Sequence, residues 1–438
     1  MLNITVINGS PKGEYSITLQ TVRYLENRHP KHSFTVIDAG KKIRKYEKDF
    51  SEAKEALNRA DLILFCYPVY TFIVPSQLHR FIELIMENGV DLSGKYASQI
   101  STSKHFYDVT AHRFIEDNCR DLGMKVIRGL SADMEDLTKK QGQKDAEAFF
   151  RHLLWYIRRD KQKTAATQKT GTKAKDSCDY TVCIVADLAP GDTALSEMID
   201  LFIREIPGKT KLVNIHEFPF KGGCISCFSC AAKGECIYTD GFEQLLREEI
   251  QTCDAIVPAF TIKDHSMGYR FKLYDDRQFC NGHRTVTRGK PFGYIVNGKL
   301  SREENLKMII EARAQVGGNC LAAIACNETC MPESISDLAA ELDYAIRHKY
   351  TRPANFYGVG GMKIFRDLIW QMQGLMKADH KFYKEHGQYD FPQKHRAAMW
   401  AMYLVGAMMS NDRLKKKMGN KLYEGMLMPY KKALSESR

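Results

Sequence analysis

Four cysteines are closely spaced as Cys224-x2-Cys227-x2-Cys230-x5-Cys236, within GGCISCFSCAAKGECIYTDGFEQL (222–245). Three thiolates in one short turn of chain can wrap a face of a cuboidal iron–sulfur cluster, and a fourth a loop away can close it. A structural zinc site usually takes two Cys-x2-Cys knuckles many residues apart, a poorer match. Free thiols are the third reading. The spacing favours a 4Fe–4S cluster over both. The chain holds 13 cysteines. An odd total, with no secretion signal in view, argues against a disulfide framework. Cys320, Cys326 and Cys330 read as small buried hydrophobes.

A second chemistry lies at the start of the chain. NGSPKGEYSIT (8–18) joins a strand-like run to a helix. Its small residues suit a tight turn. Ser10, Ser16 and Thr18 bring hydroxyls and Lys12 a positive charge. The N–H groups and dipole of the helix start attract a phosphate dianion. The pattern is neither G-x-G-x-x-G nor a Walker loop, and its plain alternative is a Ser-capped turn without ligand. Two more loops belong to the same edge. One is Pro68-Val69-Tyr70-Thr71-Phe72, the other Ser101-Thr102-Ser103 with Phe106 and Tyr107 behind it. Aromatic loops with free backbone amides suit a flat heteroaromatic ring. Phosphate at one strand end and a planar ring at the next two describe a mononucleotide such as FMN.

These loops need a scaffold that brings strand ends together. LNITVI (2–7), SFTVIDAG (33–40), ADLILFCYPVY (60–70), YASQIST (96–102) and KVIRGLSA (125–132) read as strands, with helices between them and a closing helix at 140–159. That alternation predicts a parallel sheet covered on both faces, whose ligands sit beyond the carboxyl ends of the strands. Residues 160–177 lack large apolar side chains and read as a basic linker. The alternation then restarts with strands at 179–187, 211–218, 253–260, 289–298 and 319–326, which reads as a diverged duplicate. Ser334–His348, Gly361–Lys377, Lys394–Met409 and Asp412–Lys421 read as helices, broken by GVGG (358–361) and YDFPQ (389–393). The expected class is α/β: two doubly wound, five-stranded parallel sheets and a helical C-terminal region. The domains would be 1–159, 178–330 and 331–438. The methionines between Met399 and Met409 read as core packing or an oligomer face.

GSPKGEYSIT, CYPVYTFIVPSQLHRFIE (66–83) and GKYASQISTS (94–103) together resemble the NADPH-dependent FMN reductases, flavodoxin-like proteins whose loop is close to G-S-P-[RK]-x-x-S-x-T. Gly13 and Glu14 precede Tyr15, one residue more before Ser16 than in that pattern. The resemblance covers about 1–155. It implies FMN held by Ser10, Lys12, Ser16 and Thr18 at the phosphate. Around the ring it implies Pro68, Val69, Tyr70 and Phe72 with Thr102 and Ser103. The cysteine motif, between the second strand and second helix of its unit, is similar to that of the iron–sulfur flavoproteins, a branch of the same family. That similarity implies Cys224, Cys227, Cys230 and Cys236 as ligands.

The two halves differ reciprocally. In the second, the phosphate turn reads DLAPGDTALS (187–196), where Asp187 and Asp192 repel phosphate, and the ring loop reads PAFTIKDHSMG (258–268). In the first, AGKKIRKYEKDF (39–50) stands where the cysteines would be. One FMN and one cluster per chain are therefore expected, packed as an internal pseudo-dimer with the cluster facing the flavin.

Composition narrows the partners. The chain has 438 residues, 44% hydrophobic and 27% charged, which are ordinary globular values. Its net charge of +11 is concentrated in 158–175 and 411–438, so it reads as solvated segments, not a nucleic-acid groove. The longest apolar run, Ala397–Ser410, is shorter than the ~20 residues of a spanning helix. With no signal peptide in view, a cytoplasmic protein is expected. The reading is an FMN-dependent oxidoreductase that transfers electrons, linked to NAD(P)H or to a ferredoxin-like carrier, with a small redox substrate and room for a homodimer. Electron transfer needs no side-chain acid or base, so no catalytic residue is assigned. The alternatives are a cluster-free NAD(P)H-dependent quinone or nitro reductase and a non-catalytic flavodoxin-like binding module.

Overall fold

The computed structural model describes residues 1–166, 178–410 and 421–438. The chain divides into two compact units, Met1–Thr170 with Phe391–Arg438, and Gly171–Asp390.

The first unit is built on a parallel sheet of β1 (Asn3–Asn8), β2 (Ser33–Ile37), β3 (Leu62–Pro68), β4 (Tyr96–Ser103), β5 (Lys125–Val126) and β6 (Leu130–Asp133). The order is β2-β1-β3-β4-β5, with β6 also pairing β4. The last expected strand, 125–132, is therefore two short ones. Between them Gly129 lies against Gln99, where a Cβ would come within 2.3 Å of its Cγ. The helices are α1 (Ile17–Arg28), α2 (Ala39–Tyr46), α3 (Ser51–Arg59), α4 (Ser76–Glu87), α5 (Asp108–Asp121) and α6 (Lys140–Ala166).

β3 shows why the sheet is central. Its LILFCYP run is apolar on both faces, as a strand covered twice must be. Ile63, Phe65 and Tyr67 pack with Leu57, Leu78, Phe81 and Ile115. Leu62, Leu64 and Cys66 pack on the opposite face with Leu19, Val22, Leu25, Phe150 and Leu153. Leu427, Tyr430 and Ala433 complete that second layer. They belong to the terminal helix, which is thus part of this unit's core.

The second unit repeats the strand order with β7 (Thr181–Ala186), β8 (Lys209–Asn214), β9 (Ala255–Thr261), β10 (Pro291–Asn297) and β11 (Cys320–Cys326), all parallel, in the order β11-β10-β9-β7-β8. Its helices are α7 (Thr193–Glu205), the short α8 (Ser229–Lys233), α9 (Phe242–Gln244, continued by a π turn at Leu245–Ile250), α10 (Gly268–Arg277) and α11 (Glu304–Gly317). They are followed by α12 (Met331–Arg347), α13 (Phe356–Gln371) and α14 (Lys377–Glu385). Ile335, Leu338 and Leu342, at helical spacing, bury α12 against Val257 and Ile295 of the sheet. The first unit closes with α15 (Arg396–Ser410) and α16 (Lys421–Glu436).

Several helical expectations change. Residues 160–166 continue α6, with Asp160 accepting from Tyr96 Oη at 2.9 Å and Lys125 Nζ at 2.6 Å. The rest of the expected linker, 167–177, lies outside the described residues, as does 411–420, most of the expected helix Asp412–Lys421. GVGG does not break a helix; it lies inside α13. A Cβ at Gly358 would meet Gln315 Oε1 at 3.0 Å, and one at Gly361 would meet Val316 Cγ2 at 2.6 Å. The glycines let α13 approach α11 closely. Met399 and Met402 are 50% and 61% exposed, so core packing is excluded for both. The side chains of Met408 and Met409 lie outside the described residues.

Candidate functional site

The carboxyl ends of β1, β3 and β4 open into a cleft of about 230 Å³. Ser10, Lys12, Ser16 and Thr18 line it from the first loop. Pro68, Val69, Tyr70 and Phe72 line it from the second, and Thr102 and Ser103 from the third. Ile17, Thr71, Lys104, Phe106 and Met134 join them. The extra residue of the first loop is absorbed by a 3-10 turn at Gly13–Tyr15, with Gly13 at φ +56°. Ser16 therefore still caps α1, its Oγ accepting from Leu19 N at 3.3 Å. The first turn of α1 carries no acidic side chain. Its N–H groups and the Lys12 charge suit a dianion.

Neighbours fix this loop from behind. Asn8 Nδ2 donates to the Gly13 carbonyl at 3.0 Å and to Asp38 Oδ1 at 2.9 Å. Gly40 backs directly onto the loop, where a Cβ would lie 2.3 Å from the Ser10 carbonyl carbon. Sequence reading passed over both residues. Nothing local marks Asn8 as the loop's support, and Gly40 meets the loop only through tertiary packing.

The second and third loops are built differently. Tyr70, Phe72 and Phe106 are 42%, 46% and 57% exposed, an aromatic rim at the mouth of a pocket. Phe72 lies 5.3 Å from Phe106 and 4.7 Å from Tyr107, centroid to centroid. Thr71, Phe72, His105 and Tyr107 all have left-handed backbone, with φ from 46° to 72°. Such residues cost of order 1–3 kcal/mol each and cluster where a ligand is held. A buried polar network supports the strained loop. Ser103 Oγ accepts from His105 N at 2.8 Å, and His105 Nδ1 lies 3.0 Å from Asp108 Oδ2, which accepts from Ser131 Oγ at 2.6 Å. Thr18 and Thr102 hydroxyls meet at 2.6 Å, tying the first loop to the third. His112, 2.8 Å from Ser101 Oγ, is pushed down to about 4 by burial and is neutral at pH 7.

The equivalent edge of the second unit is occupied by its own carboxylates. Asp192 caps α7, accepting from Leu195 N at 3.2 Å, and also accepts from Thr261 Oγ1 at 2.5 Å. Asp187 is buried and pairs with His216 Nδ1 at 2.7 Å. The helix start that would draw a phosphate already holds an anion.

The cysteine loop lies between β8 and α9. Cys224 and Cys227 are exposed, and Cys230 and Cys236 are half-buried. Ser226 (φ 54°) and Phe228 (φ 61°) are left-handed between successive cysteines. Such winding turns backbone N–H groups toward one side, a concavity shared by phosphate and iron–sulfur sites. The donor set suits a thiolate-ligated cluster in kind. Among the described residues, however, no group of three or more His, Cys, Asp or Glu side chains is disposed to hold a metal ion. The sequence motif thus has its elements in place without converged sulfurs. Cys280, buried beneath the loop, went unnoticed in the sequence. Burial pushes its thiol up to about 12, and Cys236 and Cys230 add to that rise.

Arginines brace this loop. Arg277, fully buried, forms a bidentate pair with Asp240 at 2.8 Å for each bond and donates to the Gly222 carbonyl at 2.9 Å. Arg247 donates to the Gly234 and Cys280 carbonyls at 2.6 and 3.1 Å. The Arg277 guanidinium holds the Asp240 carboxyl down to about 2, against an unfolded value of about 3.9. Its folded value lies below the unfolded one, so the pair stabilises the fold above about pH 4. That stability, about 2–3 kcal/mol, is lost as pH falls toward 2. Asp240→Ala leaves the guanidinium buried and unpaired, and about 3–5 kcal/mol of stability should disappear at neutral pH. Urea unfolding monitored at pH 7 and pH 3 checks this. A loss under about 1 kcal/mol at pH 7 would remove the pair from the loop's supports.

Residues 2–158 match the Flavodoxin_2 family model, described as a flavodoxin-like fold. The chain is 26% identical over 203 residues to an iron-sulfur flavoprotein of Archaeoglobus fulgidus, covering 44% of this chain and 92% of that protein. Similar solved structures include an FMN-dependent NADH-azoreductase from Bacillus anthracis, at 16% identity, 34% of this chain, 99% of that chain and a TM-score of 0.28. Another is the NAD(P)H:quinone oxidoreductase from Methanothermobacter marburgensis, at 12% identity, 40% and 99% coverage and a TM-score of 0.27. Among the described residues, no helix is long and apolar enough to cross a membrane. With its parallel sheet in the order β2-β1-β3-β4-β5 and a cleft at the strand ends, the segment 2–158 is a flavodoxin-like domain.

Proposed function

We propose that the protein is a flavin-dependent oxidoreductase, with FMN in the first unit and a 4Fe–4S cluster on Cys224, Cys227, Cys230 and Cys236 in the second. The observation that carries the flavin is the single cleft joining a hydroxyl- and lysine-bearing helix start to a strained aromatic loop. When bound, FMN supplies both one- and two-electron chemistry and the cluster supplies single electrons. The chain's residues hold and tune. Ser10, Ser16 and Thr18 would donate hydroxyl hydrogen bonds to the phosphate, and Lys12 would balance its charge. Pro68, Val69, Tyr70 and Phe72 would hold the ring together with Thr102 and Ser103, and Phe106 would help to exclude water. No side chain is assigned acid or base catalysis. The electron donor is NAD(P)H or a reduced ferredoxin-like carrier, and the acceptor a small redox substrate.

The unconverged cysteines favour a second reading, a cluster-free NAD(P)H-dependent quinone or nitro reductase. Anaerobic purification, a visible spectrum, and FMN, iron and sulfide per chain separate the two. Flavin with iron and sulfide supports the first, and flavin alone the second. A colourless protein that FMN cannot reconstitute leaves the binding-module reading.

A further inference from the structure

The terminal helix α16, from the far end of the chain, packs within the first unit against residues that line the cleft. Leu427, Tyr430 and Ala433 bury one side of it against the core layer of α1 and α6. Asn27 Nδ2 on α1 donates to the Leu434 carbonyl at 3.3 Å and to Ser437 Oγ at 3.0 Å. Tyr430 Oη donates to the carbonyl of Met134 at 2.5 Å, and Met134 lines the cleft. The helix is thus fixed at its base by apolar burial and at two points by hydrogen bonds.

Its first turn is left over the phosphate loop. The Tyr423 ring lies 5.8 Å from that of Tyr15, and Lys12 Nζ stands 5.6 Å from the Tyr423 centroid. On the other side, burial and then the nearby Tyr423 hydroxyl raise Tyr70 above its ordinary value. Lys12 belongs to the phosphate end of the cleft and Tyr70 to the ring end. Tyr423 therefore neighbours both, although it is separated from each by more than three hundred residues.

We propose that Tyr423 is a cofactor-positioning residue: its ring face holds the Lys12 ammonium beside the phosphate subsite, so that α16 is an intrachain part of the FMN site. The inference rests on the flavin reading given above. The physical content is a restriction of freedom. A lysine on a mobile stem pays rotamer entropy when it binds an anion. A ring face that attracts the ammonium confines it before the ligand arrives, and a cation–π contact at a part-exposed site has the right strength to do so without competing with a dianion.

The test compares FMN with riboflavin, which shares the ring and lacks the phosphate. Dissociation constants are measured by flavin fluorescence on the full-length chain stripped of cofactor. Tyr423→Ala should weaken FMN about threefold to fivefold and leave riboflavin unchanged. Tyr423→Phe keeps the ring face and should bind FMN as the parent does. Tyr423→Leu keeps apolar bulk without that face and should behave as Tyr423→Ala. Added to Lys12→Ala, Tyr423→Ala should have no further effect. FMN binding unchanged in Tyr423→Ala, or an equal loss for both flavins, overturns the inference and leaves α16 a packing role. A parent chain that binds riboflavin and FMN equally overturns it too. Failure of the parent to bind either flavin removes the flavin reading itself, and this inference with it.

Discussion

A chain carrying Ser10→Asp and Ser16→Asp is expected to purify colourless and to take up no FMN. Ser16 caps α1 through its side chain. Aspartate caps a helix start as well as serine does, so the Ser16→Asp change alone keeps the local fold while adding a carboxylate beside the phosphate subsite. Two unit charges 4 Å apart cost about 4 kcal/mol at an effective dielectric of 20. That is about a thousandfold in affinity. Ser10 and Ser16 are 2% and 1% exposed, so a charge at either is buried. Only Ser16 keeps a capping role as aspartate, so the single Ser16→Asp variant, read against riboflavin, decides the matter. Riboflavin should bind it nearly as well as the parent. Gly40→Ala reaches the same loop from behind and, by displacing the Ser10 carbonyl, should weaken both flavins. Flavin content measured after denaturation, per chain, gives the stoichiometry. One FMN is expected, because Asp192 already places a carboxylate at the corresponding helix start of the second unit. Undiminished FMN in Ser16→Asp would sink the phosphate assignment, and two FMN per parent chain would show that the second unit binds flavin despite its aspartates.

What the sequence made legible follows the range of the forces involved. Strand β3 was plain because a doubly covered parallel strand must be apolar at every position, and LILFCYP is. That Ser10, Lys12, Ser16 and Thr18 share one site was plain because their chemistry is local: hydroxyls, a lysine and a helix start within one short loop. Long-range or polar contacts stayed hidden. Residues 160–166 looked like linker because nothing apolar marks them, yet α6 continues there with Asp160 held by Tyr96 and Lys125, and Lys161 lying 3.4 Å from Asp61. GVGG looked like a break because glycine is a poor helix former. Whether glycine instead permits a close helix crossing depends on Val316 and Gln315, which belong to another helix. The docking of α16 joins residues such as Asn27 and Ser437, about four hundred positions apart. No pattern within either segment announces it. The network of His105, Asp108 and Ser131 behind the ring loop was missed for the same reason.

Cys227→Ala should lose the iron–sulfur chromophore and most of the iron and sulfide of an anaerobically prepared protein, while keeping FMN. The argument is one of ligand count. A 4Fe–4S cluster takes a thiolate at each iron. The four cysteines supply that number with none spare in the motif. Cys280 is the one sulfur placed to substitute, since it lies buried close to Cys236 and Cys230. Cys280 is buried where Cys227 is exposed, so it should not take that ligand's place in Cys227→Ala. Cys280→Ala should therefore retain iron, and the double variant should look like Cys227→Ala alone. Four thiolates on one cluster would also tie the cysteine loop together. Metal binding then becomes part of folding. Iron loading should raise the thermal midpoint of the parent and leave that of Cys227→Ala unmoved. Full iron content in Cys227→Ala would strike that residue from the ligands. Zinc in place of iron after strictly anaerobic handling would assign the motif to a structural metal. An iron-free parent chain that still oxidises NAD(P)H through its flavin would establish the cluster-free reductase instead.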